Sequence, residues 1–256
     1  MNNPIPLPPS LQVGQWQPVD QGLSGAVVLR GNLQGQACYL KITPHTHRMP
    51  VRAEHERLRW LQGRVPVPPV ILYMEDQTHQ FLVTAAITGV EAMAYEAEPH
   101  VRIRQLARAI RQLHDLPVAN CPFRWTIDEQ IAFARKTVEM QAVNVDLLDD
   151  EFRHRTPDDL LQELIALRPG YWDPVVVHGD AYSENILLEP ATGRVAAFLD
   201  VGHSGVADRY TDFAMIHDDL ISTYGEPGWQ AFLHEYGHTG PDPQRLRFYR
   251  LFNEFL

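Results

Sequence analysis

The chain has 256 residues, 45% of them hydrophobic and 21% charged. That is the balance of a globular protein with a buried core, and it excludes a disordered or collagen-like chain. Lys and Arg number 22 against 32 Asp and Glu, a formal charge of −10, which argues against general binding of nucleic acid or of anionic membranes and suits a cationic partner.

Two cysteines, Cys38 and Cys121, make no disulfide framework, and a cytoplasmic location is expected. Residues 1–10 are Pro-rich, without the basic flank and apolar run of a signal peptide. No apolar stretch is long enough to predict a membrane span.

In chain order, residues 18–29 carry Gly22, Ser24 and Gly25 between short extended runs, and residues 36–42 read as a strand that ends near Lys41. The glycine-bearing segment 30–35 between them suits a hairpin turn. Residues 52–62 have a helical pattern, three prolines interrupt at 66–69, and 70–74 and 80–86 read as two more strands. The character changes near Gly89. Helices are predicted over 101–114, 127–140 and 158–167, the last opened by the capping sequence Thr156-Pro157-Asp158-Asp159. Short strands follow at 174–177, 186–188 and 195–199, with a turn at Thr192-Gly193. Residues 212–256 are helical with breaks at 225–228 and 237–243.

The most informative stretch is His178-Gly179-Asp180, with Asn185 five positions beyond the aspartate and Asp200-Val201-Gly202 ending a later strand. A neutral amide oxygen and a carboxylate suit hard Mg²⁺ that must also hold phosphate and water. An aspartate on the preceding loop is placed to accept a hydroxyl proton. D-x-x-x-x-N followed by D-x-G is the arrangement used for phosphoryl transfer from a nucleotide. Lys41 can reach nucleotide phosphates. Glu54 on the following helix can pair with it, although Glu56 competes and helix phase alone leaves the choice open. Gly22 and Ser24 belong to a segment able to cover phosphates. Neither a P-loop nor a G-x-G-x-x-G dinucleotide fingerprint is present.

The runs HGDAYSENILL, FLDVGHSGVADRYTDFAM, AIRQLHDLPVANCPF and RLRFYRLFNEFL resemble the aminoglycoside phosphotransferase family, with the 3′-phosphotransferases the nearest group. The resemblance implies an α+β, protein-kinase-like fold, with a small sheet-rich N-terminal lobe (residues 1–88) binding nucleotide and a larger, mainly helical C-terminal lobe (89–256) for catalysis and substrate. It implies Asp180 as catalytic base, Asn185 and Asp200 as Mg²⁺ ligands, and Lys41 and Glu54 on the phosphates of ATP or GTP. The Ala85 carbonyl and the Ile87 amide would meet the adenine edge. A cationic aminoglycoside would meet Asp149, Asp150, Asp219, Glu254 and the carboxylate of Leu256. The implied activity is phosphorylation of an aminoglycoside hydroxyl, the 3′-hydroxyl, conferring antibiotic resistance, by a monomer or dimer that binds neither nucleic acid nor membrane. Departures from the family's pattern are His203 and Asp218, where arginines are common, with His203 counted in the substrate set, together with Ser222, Thr223 and the final Leu256.

Three rivals remain at this stage. One is a kinase of the same fold acting on streptomycin, a ketosamine or another amino alcohol. The second is a non-catalytic nucleotide-binding protein. The third is a metal-dependent hydrolase using His45 and His47 or His217-Asp218-Asp219.

Overall fold

The computed structural model describes residues 5–19 and 25–256. The chain divides into two compact units, Met1–Gly89 with Ala196–His203, and Val90–Val195 with Ser204–Leu256.

The first unit holds a short helix α1 (Pro9–Gln12), strands β1 (Gln15–Pro18), β2 (Val27–Leu33) and β3 (Gln36–Pro44), helix α2 (Val51–Leu61), and strands β4 (Val70–Glu75) and β5 (His79–Ala85). The strands form one antiparallel sheet in the order β1-β2-β3-β5-β4. Gln34 and Gly35 both have positive φ, 54° and 88°, the two-residue geometry that follows the twist of an antiparallel pair. Strand β3 alternates. Cys38, Leu40 and Ile42 are buried with Leu11, Leu33, Phe81 and Val83, while Lys41 and Thr43 belong to the opposite face. Residues 5–11, which carried no sequence assignment, are part of this core: Leu11 is buried and Ile5 and Leu7 pack on it. Helix α2 buries Val51, Glu54, Leu58 and Leu61, a stripe at helical period. Its first turn is tied to the sheet by Val51 N–H donating to Thr43 Oγ1.

The second unit begins with β6 (Val90–Glu91), followed by α3 (Pro99–His114), α4 (Ile127–Glu139), α5 (Pro157–Ala166), β7 (Pro174–Val177) and β8 (Ile186–Leu188). Strand β9 (Val195–Phe198) leads into the 196–203 segment of the first unit, where Phe198 N–H donates to the Pro66 carbonyl. Then come β10 (Gly205–Asp208), α6 (Tyr210–Tyr236) and α7 (Pro243–Asn253). β10 pairs antiparallel with β7, and β6 with β8; the strand at 205–208 was not read from the sequence. Helix α4 opens with a reciprocal capping box between Thr126 and Glu129. Thr156 caps α5 as its sequence foretold. The expected break at 225–228 is a kink within α6: Gly225 sits at φ 67° and Pro227 follows inside the helix. Buried Asp208 receives Arg245 of α7 through both carboxylate oxygens at 2.6 Å, and that guanidinium lies 4.2 Å from the centre of the Tyr210 ring.

Candidate active site

In the first unit, Lys41 projects from β3 and its Nζ lies 2.9 Å from Glu54 Oε2 and 2.8 Å from Asp200 Oδ1. The structure decides between the two candidate glutamates: Glu54 is on the buried stripe of α2, and Glu56, two residues on, is exposed. Burial works against the Lys41 charge, yet the two carboxylates outweigh it and hold the ammonium protonated well above its ordinary range. Burial, helped by Asp200 and opposed by Lys41, raises the Glu54 carboxyl. Asp200 adopts φ 49°, a left-handed conformation that aspartate tolerates better than most residues. His203 closes the 3-10 turn Val201–His203, also in this unit. Ala85 is the last residue of β5, its amide bonded to the Pro69 carbonyl, while the next amide, of Ala86, goes to Ala37. Ile87 follows, half-buried. Gly22 and Ser24 lie outside the described residues.

In the second unit, buried Val175, Val176 and Val177 lead into His178 and then Gly179 at φ 82°, where any other residue would be strained. The amides of His178 and Gly179 donate to the two oxygens of Asp212 on α6, each at 2.8 Å. Asp180 comes next. Asn185 Nδ2 donates to both its carbonyl, at 3.0 Å, and its Oδ2, at 2.9 Å, which fixes the spacing of the D-x-x-x-x-N loop. With Nδ2 committed to Asp180, the amide presents Oδ1 on its other side. Asn185 thus presents a hard oxygen in the second unit, as the Asp200 carboxylate does in the first, and each is the type of donor, neither thiolate nor imidazole, that suits Mg²⁺. Among the described residues no group of three or more His, Cys, Asp or Glu is arranged to hold a metal.

The same unit carries a cavity of about 550 Å³ lined by Leu147, Leu148, Asp149, Asp150, Glu151, Arg153, His217, Asp218, Ile221, Ser222 and Arg250. Four of these are acids. Arg250 lies among them, with Nε 2.6 Å from Asp218 Oδ1, and its Nη2 2.5 Å from Glu151 Oε1 and 3.8 Å from Asp149 Oδ2. Arg247 also meets Glu151. Asp150 is exposed and pairs with Arg153.

Glu254, the cap of α7, accepts the Asp149 amide at 3.2 Å. Burial, then the Asp149 charge, push its carboxyl up to about 8. Asp219 accepts the Ser183 amide at 2.7 Å, and burial raises it in spite of that bond. The Leu256 amide bonds back to Asn253. Tyr182 lies two residues after Asp180. Its phenol is held protonated by burial and by the charges of Asp218, Asp180, Asp149 and Asp219. Sequence reasoning placed none of Glu151, Asp218, Tyr182 or Arg250 in the phosphotransferase site, Asp218 entering only the hydrolase reading. The acidic run at 149–151 and the departure at 218 were the available signals.

A lysine clamped by a helical glutamate in a sheet-rich unit, and a D-x-x-x-x-N loop anchored in a helical one, define a protein-kinase-like phosphotransferase. The sequence matches the phosphotransferase enzyme family (APH) over residues 15–249. It is 38% identical to an aminoglycoside 3′-phosphotransferase of Streptomyces fradiae, over 94% of this chain and 95% of that one. The crystal structure of a type VIII aminoglycoside-3′-phosphotransferase superposes with a TM-score of 0.85 at 33% identity, covering 95% of this chain and 94% of the other. The APH(3″)-Id enzyme of Streptomyces rimosus, solved with ADP and streptomycin, gives a TM-score of 0.78 at 31% identity over 94% and 92% of the two chains. The chain belongs to this phosphotransferase family.

Proposed function

We propose that the protein transfers the γ-phosphoryl group of ATP or GTP to a hydroxyl of an aminoglycoside, the 3′-hydroxyl, and so confers resistance. The observation that carries this reading is the cavity lined by Asp149, Asp150, Glu151 and Asp218, in the same unit as Asp180. An aminoglycoside is a polycation at neutral pH, and an acid-lined cavity concentrates it near the residue that handles the hydroxyl proton.

In this reading residues 1–88 bind the nucleotide and 89–256 bind the acceptor, with the 196–203 segment contributing Asp200 to the nucleotide side. Lys41, oriented by Glu54, neutralises the α- and β-phosphates. Gly22 and Ser24 cover them, and the Ala85 carbonyl and Ile87 amide receive the base. Asn185 and Asp200 would hold Mg²⁺, which when bound offsets the charge that builds on the departing diphosphate. Asp180 orients the acceptor hydroxyl. As its oxygen bonds to the γ-phosphorus, the bond to the β–γ bridging oxygen breaks, ADP or GDP leaves, and Asp180 takes the hydroxyl proton. Asp149, Asp150, Asp219, Glu254 and the terminal carboxylate bind ammonium groups, joined by Glu151 and Asp218; His203 completes the substrate set.

A coupled ADP-release assay tests this. Kanamycin is expected to be phosphorylated and tobramycin, which lacks the 3′-hydroxyl, is not. Equal turnover of the two would overturn the regiochemistry. The similarity to APH(3″)-Id favours a second reading, transfer to streptomycin, and turnover of streptomycin but not kanamycin would establish it. Nucleotide binding with no phosphate transfer to any of these acceptors would leave a nucleotide-binding protein.

A further inference from the structure

The acid cavity already contains a cation that belongs to the chain itself. Arg250 stands on α7, a helix fixed by the burial of Phe248, Tyr249, Leu251 and Phe252, and its side chain is only 21% exposed. Its Nε donates to Asp218 Oδ1 at 2.6 Å, and its Nη2 meets Glu151 Oε1 at 2.5 Å. Those two nitrogens form one edge of the guanidinium plane, and such an edge is matched by two oxygen acceptors side by side. The two oxygens come from separate places, Asp218 on α6 and Glu151 in the loop before α5. Together they make a seat for a flat, two-pronged cation.

Asp149 stands in a different relation to the same guanidinium. Nη2 lies 3.8 Å from its Oδ2, beyond hydrogen-bond distance, so Arg250 attracts this carboxylate without bonding to it. Burial and the charge of Asp218 raise the Asp149 carboxyl, and Arg250 opposes them. A cavity of about 550 Å³ remains beside these groups.

Cations differ in what they can use there. An ammonium is a compact charge on a rotating head and binds well to a single carboxylate oxygen, whereas a guanidinium gains its full strength only against a paired edge. Asp218 and Glu151 still add their charge to the pull on an ammonium at Asp149. What they no longer offer is the paired edge, because Arg250 has it.

We propose that Arg250 is a specificity-determining residue: its guanidinium fills the seat between Asp218 and Glu151, so that the cavity takes acceptors carrying amines, through Asp149, and turns away those carrying guanidinium groups. The proposal rests on the reading of this cavity as the acceptor site and names the cationic group that it selects.

Ethylguanidinium, a small probe with the same planar head, tests the seat without any phosphoryl transfer. Arg250→Ala removes the chain's own head group and leaves Asp218 and Glu151 without it. Calorimetric titration of Arg250→Ala is expected to show ethylguanidinium bound with a Kd on the order of 1 mM, the strength of two charge-assisted hydrogen bonds. The wild type is expected to bind it at least about tenfold more weakly, since the seat is full. Arg250→Gln keeps more of the stem on α7 and is expected to bind the probe as Arg250→Ala does. Adding Asp218→Asn to either variant removes half of the charged pair and is expected to abolish the binding. In steady-state kinetics, streptomycin carries guanidinium groups and kanamycin only amines. The ratio of kcat/KM for streptomycin to that for kanamycin is expected to rise about tenfold in Arg250→Ala, the worth of one charge-assisted bond.

No binding of ethylguanidinium by whichever of the two variants keeps the wild-type circular dichroism would overturn the proposal. So would equal affinity of that variant for ethylammonium, or competition of ethylguanidinium with kanamycin in the wild type at matched ionic strength. If the seat binds the probe but the wild type phosphorylates no aminoglycoside, the functional reading falls and the cation seat stands. If the wild type phosphorylates kanamycin and the seat takes no probe, the proposal alone falls.

Discussion

At the scale of single residues, the proposed function gives Lys41 a phosphate-binding role and Asp180 a proton-accepting one, and each can be tested by itself. Lys41 is a point charge already committed to Glu54 and Asp200 at 2.9 and 2.8 Å, so it is presented in a fixed place rather than on a mobile stem. Replacing it by methionine leaves Glu54 as a buried carboxylate without its cation and removes one charge-assisted contact to phosphate. Such a contact contributes about 1.5–3 kcal/mol, so KM for ATP is expected to rise roughly 10- to 100-fold. An unchanged KM in steady-state kinetics would rule out the phosphate role. Asp180 is held by Asn185 in a loop anchored on Asp212. Asp180→Ala is expected to bind ADP normally in a calorimetric titration while transfer falls about 10²–10⁴-fold, the range typical of a lost proton acceptor. Near wild-type turnover would sink that assignment.

At the scale of elements, α7 is fastened to the strand end at Asp208 by Arg245. The pair is buried, with Arg245 Nη2 meeting both oxygens of Asp208, and the guanidinium lies against the Tyr210 ring. Removing one partner strands the other charge in the interior. Arg245→Ala is therefore expected to destabilise the protein by about 3–5 kcal/mol, and a double replacement by apolar residues of similar volume by less. Urea unfolding curves of the two variants compare these directly, and a double variant no more stable than the single one would contradict the argument. The same element carries Arg250 to the acid cavity, and its cap Glu254 accepts the Asp149 amide. The lock at 208–245 is thus also what sets the distance between those groups and the loop at 149–151.

At the scale of the whole molecule, charge decides behaviour. The chain carries ten excess negative charges, and several are gathered around one cavity. Binding of a polycationic acceptor is expected to weaken as salt is raised, because screening acts on each ammonium–carboxylate pair; a KM for kanamycin that is the same at low and high ionic strength would argue against this. Glu254 adds a pH dependence. Its carboxyl titrates near 8 in the fold, against an ordinary value of 4.5. The folded state therefore keeps a proton that the unfolded chain releases. Its stabilising contribution is complete below about pH 4.5 and is lost as pH rises toward 8. The ligand-free protein is expected to lose stability over that window, and Glu254→Gln to flatten the slope, as read by thermal melts across pH. An ammonium bound beside Glu254 reverses the preference, so acceptor binding near pH 7 is expected to release protons. Calorimetry in buffers of different ionisation enthalpy measures that release, and Glu254→Gln is expected to diminish it.

Period and turn chemistry made much of this legible in the linear chain. The alternation of Cys38, Leu40 and Ile42 marks β3, while the turn expected over 30–35 is confined to Gln34-Gly35, because residues 30–33 continue β2 in pairing with β3. The capping residues Thr126 and Thr156 mark helix starts for a local reason, since they bond amides three residues away. The spacing Asp180 to Asn185 is local too, and so its chemistry could be read. What was not legible depends on partners far along the chain. Strand 205–208 has only four residues and exists because 174–177 pairs with it. Residues 5–11 look like a loose Pro-rich start until the sheet offers Leu11 a core. The choice of Glu54 over Glu56 needed the buried face of α2 to be known. Arg250 among the acids, and His114 against Asp212, join residues up to 101 positions apart through the packing of α3, α6 and α7. Short-range hydrogen bonding and hydrophobic period are written in neighbouring residues, so the sequence by itself determined the elements and the kind of chemistry. Charge pairing and burial depend on distance through space, so only the tertiary structure decided which carboxylates share the cavity and what holds the Asp180 loop in place.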